Sequence, residues 1–230
     1  MRMTEQTMQP IAVAIDGPSG AGKSTIARRL AQELGFIYVD TGALYRTVGL
    51  AVLSGGTDPH DADAVERVLP GLRVELAYED GAQRVLLNGE DVSDRIRTPE
   101  VSMAASAVSA YPPVRAFLFD LQQEMARRHS VIMDGRDIGT VVLPHAQVKI
   151  FLSASAEDRA RRRYEELAAK GMTVTPEEVL ADMKQRDYDD SHRAAAPLKA
   201  APDAVLLDTT GNTLEQSVAL VKSMIEERLR

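Results

Sequence analysis

Eight residues constrain this chain more than any others: Gly17, Pro18, Ser19, Gly20, Ala21, Gly22, Lys23 and Ser24 fit the pattern G-x-x-x-x-G-K-S/T. Their setting gives the pattern its force. Ile11 to Ile15 is a short apolar run that predicts a buried strand. Ser24 to Leu34 predicts a helix, with Ile26, Ala27 and Leu30 on one face and Gly35 as its stop. A strand, a glycine-rich turn and a helix N-terminus aim several backbone N–H groups at one point, where the helix dipole adds to the pull on an anion. Lys23 can reach the β- and γ-phosphates of a nucleotide, and the Ser24 hydroxyl can sit on Mg²⁺. These residues, with Thr25 next in line, predict a site for ATP or GTP.

At 230 residues the chain holds one large domain, or a core with small attachments. A chain of this length buries roughly 70–75% of its extended surface, so its core needs no metal or disulfide staple. Cysteine is absent, which rules out a disulfide framework and thiolate zinc sites. MRMTEQTMQP lacks the apolar stretch of a signal peptide, and no run reaches the roughly 18 apolar residues of a membrane span. A soluble cytoplasmic protein is expected. The net charge of −7 argues against sequence-independent binding to nucleic acid or anionic lipid. Arginines nonetheless outnumber lysines 21 to 6, and arginine is the better fork for phosphate oxygens. A GC-rich coding bias accounts for the same excess, so each arginine has to be judged by its position.

Apolar runs at 11–15, 36–39, 131–133, 148–152 and 205–207 predict five core strands separated by helical patterns. That alternation implies an α/β fold, a five-stranded parallel sheet between two helical layers. Ligands of such sheets sit beyond the carboxyl ends of the strands. Polar groups follow the runs there: Asp16, Asp40-Thr41, Asp134-Gly135-Arg136-Asp137, Ser153 and Asp208.

Two stretches break the alternation. Leu72, Val74, Leu76 and Tyr78 alternate along an antiparallel strand, a turn at Glu79-Asp80-Gly81 leads to Val85-Leu86-Leu87, and Asn88-Gly89 turns the chain towards Asp91-Val92. Thr98-Pro99-Glu100 then opens a helix that Tyr111-Pro112-Pro113 stops. Residues 68–112 are therefore expected to form an insert between core segments 1–67 and 113–154. In 155–193, Ser155 caps a helix carrying Arg159, Arg161, Arg162 and Arg163, and Thr175-Pro176-Glu177-Glu178 opens another with a capping box. Two charged helices that bury little core predict a mobile lid, with 194–230 returning to the core.

A second anion site is expected beside the first. Arg46 projects from the helix that follows Thr41-Gly42. In Asp134-Gly135-Arg136-Asp137 a carboxylate can hold Mg²⁺ through water and an arginine can hold phosphate. Arg186, Asp190 and Arg193 share one helical face if the helix persists that far, either as a plain ion pair or as a grip on a sugar phosphate.

Five blocks carry a family resemblance over nearly the whole chain: IDGPSGAGKST (15–25), DTGALYR (40–46), IRTPEVSMAAS (96–106), DGRDIGTVV (134–142) and RDYDDSHRAAAPL (186–198). Together they resemble the bacterial-type cytidylate kinases, within the nucleoside-monophosphate kinases. The resemblance implies a core, a nucleotide-binding insert and a lid. It implies that Ser106, Arg115 and Asp137 recognise the cytosine base, that Arg186 and Asp190 contact the pentose, and that Arg46, Arg136 and Arg193 clamp the acceptor phosphate. Thr41 stands where many members have Ser, so a hydroxyl is kept. On the donor side it implies contacts to ATP from Gly17 to Thr25 and from Arg159 and Arg162, with Mg²⁺ held by Ser24 and, through water, by Asp134.

The chemistry of the base agrees with this. A carboxylate accepts a hydrogen bond from cytosine's exocyclic amine and an arginine donates to its acceptors, whereas uracil would turn a carbonyl towards Asp137. The expectation is in-line transfer of the ATP γ-phosphoryl group to CMP or dCMP by a monomer, with Lys23, Arg46, Arg136 and Arg193 as the catalytic cations. Another small P-loop kinase, acting on a different nucleotide, a sugar or a shikimate-like acid, stays open until acceptors are screened. A nucleotide-dependent switch also stays open; it lacks support from an N-K-x-D motif and would show turnover without CMP.

Overall fold

Alternate residues of the first strand, β1 (Ala12–Asp16), serve two different cores. The computed structural model describes residues 9–79, 82–169 and 171–229. Val13 and Ile15 face the helices α1 (Lys23–Leu34) and α8 (Leu214–Arg228), meeting Ile26, Leu30, Val221 and Ile225. Ala12 and Ala14 face the other way, towards Val131, Met133, Ile138 and Val142. The strand's period of two thus makes β1 the buried centre of a three-layer sandwich.

Four more strands complete a parallel sheet: β2 (Ile37–Asp40), β6 (Val131–Gly135), β7 (Val148–Ser153) and β8 (Val205–Asp208), in the order β2-β6-β1-β7-β8. Ala12 lies opposite Val131 and Asp16 opposite Gly135, so β1 and β6 deliver the phosphate loop and the DGRD turn to the same edge. The five expected strands stand within a residue or two of their predicted bounds.

The antiparallel sheet also forms, from β3 (Val74–Glu79), β4 (Ala82–Leu87) and β5 (Glu90–Asp91). Asp80 and Gly81 of its first turn lie outside the described residues, as do residues 1–8 of the segment read for a signal peptide. The second turn is a residue tighter than expected, so pairing falls on Glu90 and Asp91 rather than Asp91 and Val92. Val92 instead enters a core shared with α2 (Thr41–Ser54), α3 (Ala62–Val68), α4 (Pro99–Val108) and α5 (Pro112–Arg128). Residues 68–112 therefore pack into a common core with α2 and α5.

Helices α6 (Ala156–Ala169) and α7 (Pro176–His192) enclose a small core of their own: Ala160, Leu167, Val179 and Met183, flanked by Tyr164, Val174 and Leu180. The expected capping box at Thr175 is present in full. Among the described residues no helix is long and apolar enough to cross a membrane.

Candidate active site

The phosphate loop is built by a close approach of backbone to backbone. A Cβ at Gly17 would stand 1.9 Å from the Leu152 carbonyl oxygen, so only glycine lets the loop leave β1 against β7. At the loop's far end Lys23 is buried, and its Nζ donates to the Pro18 carbonyl at 2.7 Å. Burial, with the nearby Arg136, pulls the Lys23 pKa down to about 7 against the opposing pull of Asp134 and Asp16. Ser24 Oγ donates to Asp134 Oδ2 at 2.8 Å, and Tyr38 Oη donates to Asp134 Oδ1 at 2.9 Å. Burial and neighbouring Asp40 push the Asp134 carboxyl up. Thr41 spends its hydroxyl on the Asp134 carbonyl at 2.7 Å, tying α2 to β6.

Across a cleft of about 390 Å³ stand the arginines expected at the second site. Arg46, Arg115, Arg136, Arg186 and Arg193 all line it, together with Ser106, Asp137 and Asp190. Asp40 caps α2 by accepting the Ala43 N–H at 2.9 Å, and its other oxygen holds Arg46 Nη2 at 2.9 Å. Arg136 Nε donates to Asp190 Oδ2 at 2.7 Å. Burial pushes the Asp190 carboxyl up, but Arg136, Arg193 and Arg186 together hold it below its ordinary value. Arg186 donates Nη1 to Ser19 Oγ at 3.3 Å, and burial beside Arg136 lowers its pKa to about 10. The buried Nε atoms of Arg46 and Arg186 have no hydrogen-bond partner. A buried guanidinium with an unmet donor is costly, and an entering anion would relieve it.

Asp137 lies at the other end of the cleft between two cations. Arg115 Nη2 donates to its Oδ2, and Arg193 Nη2 stands 3.4 Å from its Oδ1. Arg115 and Arg193 also meet at Ser109, one on its carbonyl and the other on its hydroxyl, both at 3.2 Å. Burial raises the Asp137 pKa against the pull of Arg115, Arg193 and Arg136. Helix α7 stops at His192, yet Arg193 stays beside Asp190, its Nη1 3.7 Å from Oδ1, while its Nη2 reaches Asp137.

The lid arginines separate into different roles. Arg159 is 4% exposed and lines neither side of the cleft. It donates to the Ala154 carbonyl at 2.8 Å, to the Ser19 carbonyl at 2.9 Å, and with both Nη atoms to Asp187. Arg162 pairs with Asp158 at 2.5 Å and donates to the Thr209 carbonyl at 3.1 Å; Arg163 pairs with Glu166 at 2.8 Å. Arg162 and Arg163 border a second depression with Gly20 to Ile26, Asn212, Thr213, Leu214 and Ser217. The sequence reading missed this 212–217 wall, because nothing in Asn-Thr-Leu marks it as facing the phosphate loop. It also gave no partner to Arg46, although Asp40 stands six residues away, or to Asp134, which Tyr38 and Ser24 orient together.

A cytidylate kinase family model matches residues 13–227. The chain is 51% identical to a cytidylate kinase from Caldicellulosiruptor bescii over 91% of this chain and 92% of that protein. It is 50% identical to a cytidylate kinase from Citrifermentans bemidjiense, over 95% and 94% of the two chains. Among solved structures, an uncharacterized protein from Eubacterium ventriosum matches with a TM-score of 0.55 at 13% identity, covering 95% of this chain and 99% of the other. That likeness bears on the fold alone.

Proposed function

The chain belongs to the cytidylate kinase family, and we propose a division of labour by which its cleft phosphorylates CMP and dCMP with ATP. The reading is carried by one observation. The glycine loop with Lys23 faces Arg46, Arg115, Arg136, Arg186 and Arg193 across one cleft, with the buried Nε donors of Arg46 and Arg186 unmet. Such a cleft suits two polyanions held end to end.

On the donor side, Lys23 and the loop amides hold the ATP phosphates, which requires the Lys23 ammonium to leave the Pro18 carbonyl. A bound triphosphate supplies the negative charge that keeps Lys23 protonated. The wall of Arg162, Asn212 and Leu214 is placed for the nucleoside of the donor. Ser24 and Asp134 present hard oxygens beside the loop, the donor type magnesium selects. Among the described residues no group of three or more His, Cys, Asp or Glu side chains could hold a metal ion. Magnesium held there by Ser24, and through water by Asp134, would neutralise the donor phosphates.

On the acceptor side, Arg46, Arg136 and Arg193 take the 5′-phosphate, Arg186 and Asp190 the pentose, and Ser106, Arg115 and Asp137 the base. The acceptor oxygen is already ionised near neutral pH, so no side chain need act as a base. Catalysis then rests on alignment, charge neutralisation and exclusion of water. Helices α6 and α7 act as a lid over 155–193, and 68–112 as the acceptor-side insert. The whole site comes from one chain, which supports a working monomer; we place it with its nucleotide substrates in the cytoplasm. The test is ADP release with each nucleoside monophosphate in turn. CMP and dCMP should support turnover and UMP far less; equal rates for all four bases, or turnover without an acceptor, would refute the assignment.

A further inference from the structure

Asp16 ends β1 one residue before the phosphate loop and is buried, yet it lines no part of the cleft. Its two oxygens are spent on two consecutive backbone amides far along the chain. Oδ1 accepts the Ile138 N–H at 2.8 Å and Oδ2 the Gly139 N–H at 2.7 Å. These residues open a π-helical turn, Ile138–Val142, that follows Asp137.

The peptide group between Asp137 and Ile138 is consequently fixed at both ends. Its N–H end is held by Asp16. Its carbonyl end accepts the Val141 N–H at 2.9 Å and the Val142 N–H at 3.2 Å. A planar peptide pinned at both ends cannot rotate without losing charge-assisted bonds. That plane anchors the Asp137 Cα, from which the side chain extends between Arg115 and Arg193. Gly139 permits the approach, since a Cβ there would lie 3.3 Å from both Asp16 Oδ2 and Lys149 Cδ.

We propose that Asp16 is a positioning residue for base selection, aiming Asp137 at the cytosine amine through the 137–139 backbone. The inference rests on the reading of Asp137 as the base-reading group. It places one base-selecting determinant beside the donor loop, outside the acceptor cleft.

The test compares Asp16→Asn, Gly139→Ala and Asp137→Asn in the full-length enzyme by steady-state kinetics with CMP and UMP. An asparagine offers one acceptor where two amides need one each, and it turns an NH₂ group towards the other N–H. Asp16→Asn should lower the CMP-over-UMP ratio of kcat/KM by about tenfold or more, the worth of one hydrogen bond to a charged group. The loss should fall on KM for CMP, with KM for ATP within about twofold of wild type. Gly139→Ala attacks the same clamp without changing charge, should shift the ratio in the same direction, and decides the matter if Asp16→Asn does not fold. If Asp137→Asn leaves the ratio intact, the base-reading assignment fails and this inference with it. If Asp137→Asn collapses the ratio while the folded clamp variants keep it, or weaken ATP and CMP alike, Asp16 is only structural.

Discussion

Arg159 and Asp187 form a two-pronged bridge between the lid helices, with Nη1 3.1 Å from Oδ1 and Nη2 2.6 Å from Oδ2. The same guanidinium also holds the Ser19 carbonyl, so α6, α7 and the tip of the phosphate loop meet at one buried side chain. A group so completely engaged supports the architecture of the closed cleft. Arg159→Ala should therefore cost about 2–4 kcal/mol, because it strands a partly buried carboxylate and two carbonyls. Differential scanning calorimetry should show Tm lower by about 5–12 °C for a chain of this size. Arg159→Lys should recover little of it, since an ammonium lacks the fork. An unchanged Tm with a collapsed kcat would instead make Arg159 a catalytic cation.

Lys23 should behave in the opposite way. Its charge is buried at a cost, as the pKa pulled down to about 7 shows, and its one bond is to its own loop. Lys23→Ala should leave the melting temperature of the nucleotide-free protein within about 2 °C of wild type, given the 2–4 °C per kcal/mol expected at this size. Turnover should fall by about 10³, a loss typical of removing a preorganised cation from a developing charge. Near-normal kcat in this variant would remove Lys23 from the donor site.

What the sequence made legible follows from how local each signal is. Apolar runs marked β1, β2, β6, β7 and β8, and polar residues just after them marked the rim, because strand ends and site coincide in parallel sheets. Asp134, Arg136 and Asp137 were readable for that reason. The role of Asp16 was not, since its partners are amides 122 and 123 residues away, and amides carry no sequence signature. Arg159 carried no local cue to its burial: the i,i+4 acidic neighbours belong to Arg161 and Arg162, and Asp187, which holds Arg159, lies on another helix. Asp40 hid behind its capping position, its second oxygen free to aim Arg46 only once α2 had formed. The lid core of Leu167, Val179 and Met183 was missed because charged residues between these positions mask a narrow apolar stripe.

The unmet donors at Arg46 and Arg186 should register as ligand-dependent stability. Saturating CMP at about 100 times its Kd adds about 2.7 kcal/mol, which is a rise of about 5–10 °C in Tm. Arg46→Ala should remove most of the rise with CMP and keep the rise with ATP. Equal loss of both shifts would place Arg46 on the donor side.

Stability as a function of pH should report on Asp16 directly. Burial raises its pKa from 3.8 to about 6, even though the amides of Gly139 and Ile138 favour the charged form. Between those values the folded chain keeps a proton that the unfolded chain has released. The contribution of this group is therefore complete below the unfolded value and is lost as pH rises through about 6. An asparagine at the same place has no proton to lose. Relative to Asp16→Asn, the wild-type protein should lose about 2–3 kcal/mol of unfolding free energy between about pH 4 and about pH 7, at about 1.4 kcal/mol per pKa unit. Urea unfolding of both proteins across that range measures the difference. Parallel curves would mean that Asp16 titrates near its ordinary value and that its carboxylate is far better solvated than its burial indicates.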